Sequence, residues 1–174
     1  MTVWRDLRVE WMRLFRSKGT WLALLAASAA PLVGYGLYQP AGGGTTAALV
    51  LLNPMLTGAL GGALAFAVLT LSEMNRVKKG RMGPLTDSVV SPLRMTVVRT
   101  AVLMLTAVVS SLVTSLLYLP YTWYRLGETF QGKEYVQVVL LFLLPFLEMT
   151  VLAAAAFYQI FQRVDVCVLL LLAL

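Results

Sequence analysis

Four long apolar runs divide this chain: Thr20 to Tyr38, Ala47 to Ser72, Thr96 to Tyr118 and Val136 to Phe161. Each holds the roughly 20 residues that a helix needs to cross about 30 Å of hydrocarbon. A fifth run, from Val166 to Leu174, is too short to span, so a truncated chain with an incomplete fifth span is expected. Ahead of the first run, Trp4, Leu7, Trp11, Leu14 and Phe15 recur at helical spacing, with Asp6, Arg13 and Arg16 on the other side. The pattern predicts an amphipathic helix over residues 1–19 lying in the membrane interface. In it Trp4, Trp11 and Phe15 anchor at the headgroup level while Arg8 snorkels toward phosphates. The alternative for this arm is a signal peptide cleaved among the small residues Ala26 to Ala30, but the apolar run continues to Tyr38, a full span. The expected fold is all-α, a polytopic transmembrane helical bundle over residues 20–174.

Polar positions inside the runs mark where that bundle departs from plain hydrocarbon. Asn53-Pro54 interrupts the second run, and proline there either kinks a helix or starts one capped by Asn53. Gly58 and Gly62 stand four apart, as do Gly61 and Ala65, a small-residue face that admits a neighbouring helix or lines a path or dimer interface. In the third run Ser111 and Ser115 share one face and Ser110 and Thr114 another. These hydroxyls either bond backbone carbonyls one turn back or line a polar path. Glu148 is the carboxylate deep in a span, where insertion costs about 2.5 kcal/mol or more. Two readings stand side by side: a proton or polar-substrate path through Glu148, or a neutral acid bonded to a third-span hydroxyl. Pro145, one turn earlier, frees a carbonyl beside it.

Composition places the chain among integral membrane proteins: 59% of its residues are apolar and 13% charged, and mean hydropathy is +0.80. The net charge of +6 lies beside apolar runs. It therefore reads as topology signal and contact with anionic lipid, not as a nucleic-acid surface. Arg5, Arg8, Arg13, Arg16 and Lys18 precede the first run, and Arg76, Lys78, Lys79, Arg81, Arg94 and Arg99 follow the second. The other connections are weakly charged. Cations are retained on the cytoplasmic side, so the N-terminus and the segment 73–95 are expected inside, in a bacterial inner membrane.

The chain contains no histidine and a single cysteine, Cys167. Without imidazole there is no Ser-His or Cys-His nucleophile, no HExxH zinc site and no histidine-ligated haem. No two carboxylates pair convincingly for acid–base work. No catalytic, cofactor or metal residue is expected.

The segment from Glu73 to Arg99 carries a more specific signal: Glu73, a basic cluster, Gly83, Asp87, Ser91-Pro92 and a cation re-entering the membrane. With the charged arm ending Arg16-Ser17-Lys18 before it, this order resembles the permease subunits of ABC-2 type exporters. The resemblance covers the chain in hydropathy, and its motif spans about twenty-five residues. Departures from the family pattern are Pro84 for the usual threonine, Leu93-Arg94 for a hydroxyl-bearing pair, and the early Arg99. The resemblance implies a short cytoplasmic coupling helix that docks in a cleft of a separate ATP-binding subunit through Gly83, Pro84, Leu85, Asp87, Ser88, Val89 and Pro92. It further implies ATP and Mg bound by that subunit, and a second permease chain completing the path. In its own chemistry Pro84 suits a first helical turn, Asp87 favours the dipole there, and Pro92 ends what precedes it. No G-x-x-x-x-G-K-[ST] run is present, so ATP hydrolysis is expected in the partner. The other classes that fit are a proton-coupled secondary transporter using Glu148 and a non-transporting membrane scaffold.

Overall fold

A computed structural model of the chain describes residues 3–37, 47–79 and 92–173. Every regular element among them is helical: α1 (Val3–Phe15), α2 (Lys18–Leu37), α3 (Ala47–Lys79), α4 (Pro92–Leu126), a 3-10 turn (Gly127–Thr129), α5 (Gly132–Val138), a π turn (Val139–Leu143), α6 (Leu144–Phe161) and α7 (Val164–Leu172). Three stretches are long and apolar enough to cross a membrane: Leu51–Arg76, Leu93–Leu126 and Gly132–Phe161, of 26, 34 and 30 residues. The expected first span forms as α2 but is not among them. Its expected extent, Thr20 to Tyr38, reaches past the described residues, which end here at Leu37.

α2 and α3 form a close antiparallel hairpin, and the glycines of the small-residue face make it close. A Cβ at Gly58 would meet Pro31 Cγ at 2.8 Å, one at Gly61 would overlap the Ala30 side chain, and one at Gly34 would come within 2.8 Å of Pro54 Cα. Contacts this short tolerate hydrogen and nothing larger. The small-residue face is thus used within the chain. Pro54 does not start the helix. It lies inside α3, where the Thr57 hydroxyl donates to Asn53 O and Pro54 O at 3.0 and 3.1 Å.

α4 runs antiparallel to α3 and to α6, and it continues through Pro120, beyond the end of the third apolar run at Tyr118. Side chains at the end of the third run and just beyond it hold the extension. Tyr118 Oη donates to Ser28 O at 2.7 Å, and Thr122 and Tyr35 share a hydrogen bond of 2.7 Å. The connection to α5 shrinks to the 3-10 turn and two further residues.

α5, the π turn and α6 act as one long helix whose buried side is Tyr135, Val139, Leu143, Leu147 and Val151. Steps of four overshoot an α-helical turn of 3.6 residues, and the wider π turn cancels that drift. Its closing bond runs from Leu144 N–H to Val139 O, just before Pro145, which has no N–H to give. Gln162, in the left-handed conformation at φ 52°, then reverses the chain into α7, whose Cys167 is buried as a free thiol.

Outside this core the helices are apolar. Leu22, Leu25, Leu32 and Val33 on α2, Leu60, Leu64 and Val68 on α3, and Leu140, Leu141 and Met149 on the π turn and α6 are all exposed. A surface this apolar on several sides suits lipid, not water. The chain is an all-helical membrane protein on these grounds.

Candidate functional site

The charged residues near the start of the chain do not all face the solvent. Glu10 on α1 is 3% exposed, Glu73 on α3 is 3% exposed and Arg99 on α4 is 6% exposed. Arg99 Nη2 donates to Glu10 Oε1 at 2.8 Å, Arg13 bonds the other Glu10 oxygen through Nε, and Arg13 Nη2 reaches Glu73 Oε2 at 2.8 Å. Arg76 lies 3.6 Å from Glu73, and Arg94 Nη2 pairs with Asp6 Oδ2 at 2.6 Å. Burial by itself would raise the Glu10 carboxyl, but hydrogen bonds from Arg13 and Arg99, with their charge, bring it below its ordinary value. Arg13 is opposed by burial in turn and held above its ordinary value by Glu10 and Glu73.

α1 therefore turns its acidic side toward the bundle. The expectation of an interfacial helix with Asp6 and Arg13 on the water side is replaced by one in which both are tied to α4 and α3. The reason is pairing: Asp6, Glu10 and Leu14 follow one another at i+4, so one stripe carries two acids and an apolar anchor. Of the expected anchors, Trp4 and Arg8 are exposed, and Trp11 stacks on Phe15 with ring centroids 5.0 Å apart. The joint to α2 is stiff. Thr20 Oγ1 donates to Leu14 O at 2.7 Å and Trp21 Nε1 to Phe15 O at 2.9 Å, so two side chains cover carbonyls that the end of α1 leaves open. Beside this junction a cavity of about 390 Å³ is lined by Val9, Met12, Arg13, Arg16, Ser17 and Arg76.

α3 enters segment 80–91 and α4 leaves it, so the ionic cluster joins both stems of that segment to α1. Gly83, Pro84, Leu85, Asp87, Ser88 and Val89 lie outside the described residues, and Pro92 is the first residue of α4.

Glu148 sits on α6 with both carboxylate oxygens buried and without a hydrogen-bond partner. The register that sets Leu143 against Gly58 and Leu147 against Gly62 puts Glu148 level with the middle of Leu51–Arg76. Ser111 and Ser115 do not meet it. They are buried, they donate to Val108 O and Ser111 O on their own helix, and Tyr135 Oη donates to Ser115 O. Tyr135 precedes Glu148 by thirteen residues, about 20 Å of helix. The expected polar path is thus two separate features, hydroxyls bonded along α4 itself and a solitary acid on α6.

Among the described residues no group of three His, Cys, Asp or Glu could hold a metal. The site offers fixed charge, ion pairing and mechanical connection. Glu10 as a buried acid went unpredicted, since its partner Arg99 is 89 residues away. Comparison with protein-family models, curated proteins and solved structures finds no match for this chain.

Proposed function

We propose that this chain is the membrane-spanning permease subunit of an ABC-2 type exporter, working beside a second permease chain and a separate ATP-binding subunit that holds ATP and Mg. Its N-terminus and segment 73–95 would face the cytoplasm of a bacterial cell. The observation that carries this reading is the clamp formed by Arg13–Glu73 and Glu10–Arg99, which ties α1 to both stems of segment 80–91. A docking element between such stems could not move without moving α1, and through the stiff joint at Ser17, α2. That is the connection a subunit needs if nucleotide-driven motion is to bias two states of a helical bundle. Affinity purification of the tagged chain from its native membrane tests this. An ATP-hydrolysing subunit should co-purify, and Asp87→Arg should uncouple its ATPase activity from transport. A chain that isolates alone, with Asp87→Arg silent, would remove the proposal.

The unpartnered carboxylate of Glu148 favours one second reading, a proton-coupled secondary transporter. Transport whose pH dependence is identical in Glu148→Gln would end it.

A further inference from the structure

A groove of about 760 Å³ lies between α1 and α4, on the flank of α1 away from the ionic clamp, lined by Trp4, Arg5, Leu7, Arg8, Trp11, Met12 and Leu105. Its charges are of one sign. The acids of α1, Asp6 and Glu10, are turned to α4 and paired there, whereas neither Arg5 nor Arg8 forms an ion pair among the described residues. Both arginines are exposed, and Trp4 beside them is 81% exposed. Two unmatched guanidiniums flanked by tryptophans fit the headgroup level of a bilayer, where indole rings favour the boundary and arginines pair with phosphate.

The floor of the groove leads from that level into hydrocarbon. Leu105, 48% exposed, stands six residues beyond Arg99 along α4, about 9 Å deeper. From it Val109, Leu112 and Leu116 continue at helical spacing, all exposed, for about 16 Å. One leaflet's hydrocarbon is about 15 Å thick, half of the bilayer core. A cationic mouth thus opens onto an apolar track as long as one acyl chain.

We propose that this groove binds a diacyl phospholipid of net negative headgroup from the leaflet on the α1 side, with the phosphate on Arg5 and Arg8 and one acyl chain along Leu105 to Leu116. Charge complementarity selects the headgroup, since a zwitterionic lipid would bring its own cation against the two arginines. The site rests on the membrane placement of the chain and is independent of the transport reading: it stands or falls whether or not an ATP-binding subunit is found.

Native mass spectrometry of the full chain in mild detergent tests it, with dioleoylphosphatidylglycerol, dioleoylphosphatidylcholine or inorganic phosphate added. Phosphatidylglycerol should be retained in preference to phosphatidylcholine, and Arg5→Ala with Arg8→Ala should weaken its binding about thirtyfold, the effect of two cations near an anionic surface. Phosphate alone should not displace it. Equal retention of both lipids, a preference unchanged in the double variant, or displacement by phosphate would each overturn the proposal. A second measurement keeps both arginines: with Trp4, Trp21 and Trp123 replaced by phenylalanine, Trp11 fluorescence should be quenched more by brominated phosphatidylglycerol than by brominated phosphatidylcholine. Equal quenching would count against the site.

Discussion

The junction that holds Glu10 and the stretch of α6 that holds Glu148 each bury a carboxylate, and they treat it in opposite ways. Glu10 is surrounded: Arg13 and Arg99 each take one of its oxygens, and Glu73 extends the chain of charges through Arg13. Glu148 has no hydrogen-bond partner among the described residues. Desolvation is unfavourable in both places, but at Glu10 the cost is offset by charge-assisted bonds that also join three helices. At Glu148 no hydrogen bond among the described residues offsets it. One carboxylate explains the shape of its surroundings, whereas the other asks for a partner from outside them.

The largest effect should come from breaking the paired site. Glu10→Ala leaves Arg99 and Arg13 facing each other without their acid, and should cost about 3–5 kcal/mol in thermal or denaturant unfolding in detergent. Glu10→Leu combined with Arg99→Leu should recover most of that loss, because the penalty belongs to the abandoned charge. A single variant as stable as the wild type would erase the contrast. At the solitary site the sign reverses: Glu148→Leu should raise stability by about 1–3 kcal/mol, since it removes a buried polar group that has no bond to lose. A destabilised Glu148→Leu would reveal a partner that the structure does not contain.

Acid sharpens the contrast further. The Glu10 carboxyl lies below its ordinary value of 4.5 in the folded chain, so its contribution is fully present above that value and is lost as pH falls through the depressed one. Unfolding followed downward from pH 4.5 should show a loss that Glu10→Gln abolishes, and an unchanged slope in that variant would place the acid sensitivity elsewhere. The smallest effect is expected at the rim of the cluster, where Asp6 and Arg94 are partly solvated. Asp6→Asn should cost about 0.2–1 kcal/mol and lose most of its effect in high salt.

The same contrast separates what the sequence could reveal from what it could not. Glu148 stands out in print because it is the one charged residue between Val136 and Phe161, so a single-residue anomaly is visible without a fold. Glu10 stands among Arg8, Arg13 and Arg16, where charge looks like a water-facing side, and its meaning depends on residues 73 and 99, which only folding brings near. The helices of the second, third and fourth apolar runs were legible from run length alone. Their extents were not, because the second run is interrupted at Pro54 and the third stops at Tyr118, whereas Thr57, Tyr118 and Thr122 supply hydrogen bonds where the helices continue. The glycine face was legible as a close-packing surface, and the structure names its occupants, α2 at Gly58 and Gly61 and α6 at Gly62. The π turn left no mark in the sequence except the even spacing of Tyr135, Val139, Leu143 and Leu147.

That turn sets where the chain tolerates a change of length. A π turn holds one residue more than the α-helical turn it replaces, so the rotation of everything after Leu143 depends on a single position. Closing it to an α-helical turn at constant length would rotate α6 by about 100° and bring Phe146 to where Leu147 now meets Gly62. Deleting one residue between Val139 and Leu143 would instead remove the surplus residue and leave Leu147 and Glu148 on their present faces. A one-residue deletion is therefore tolerated inside this turn and disruptive in the α-helical turns on either side of it.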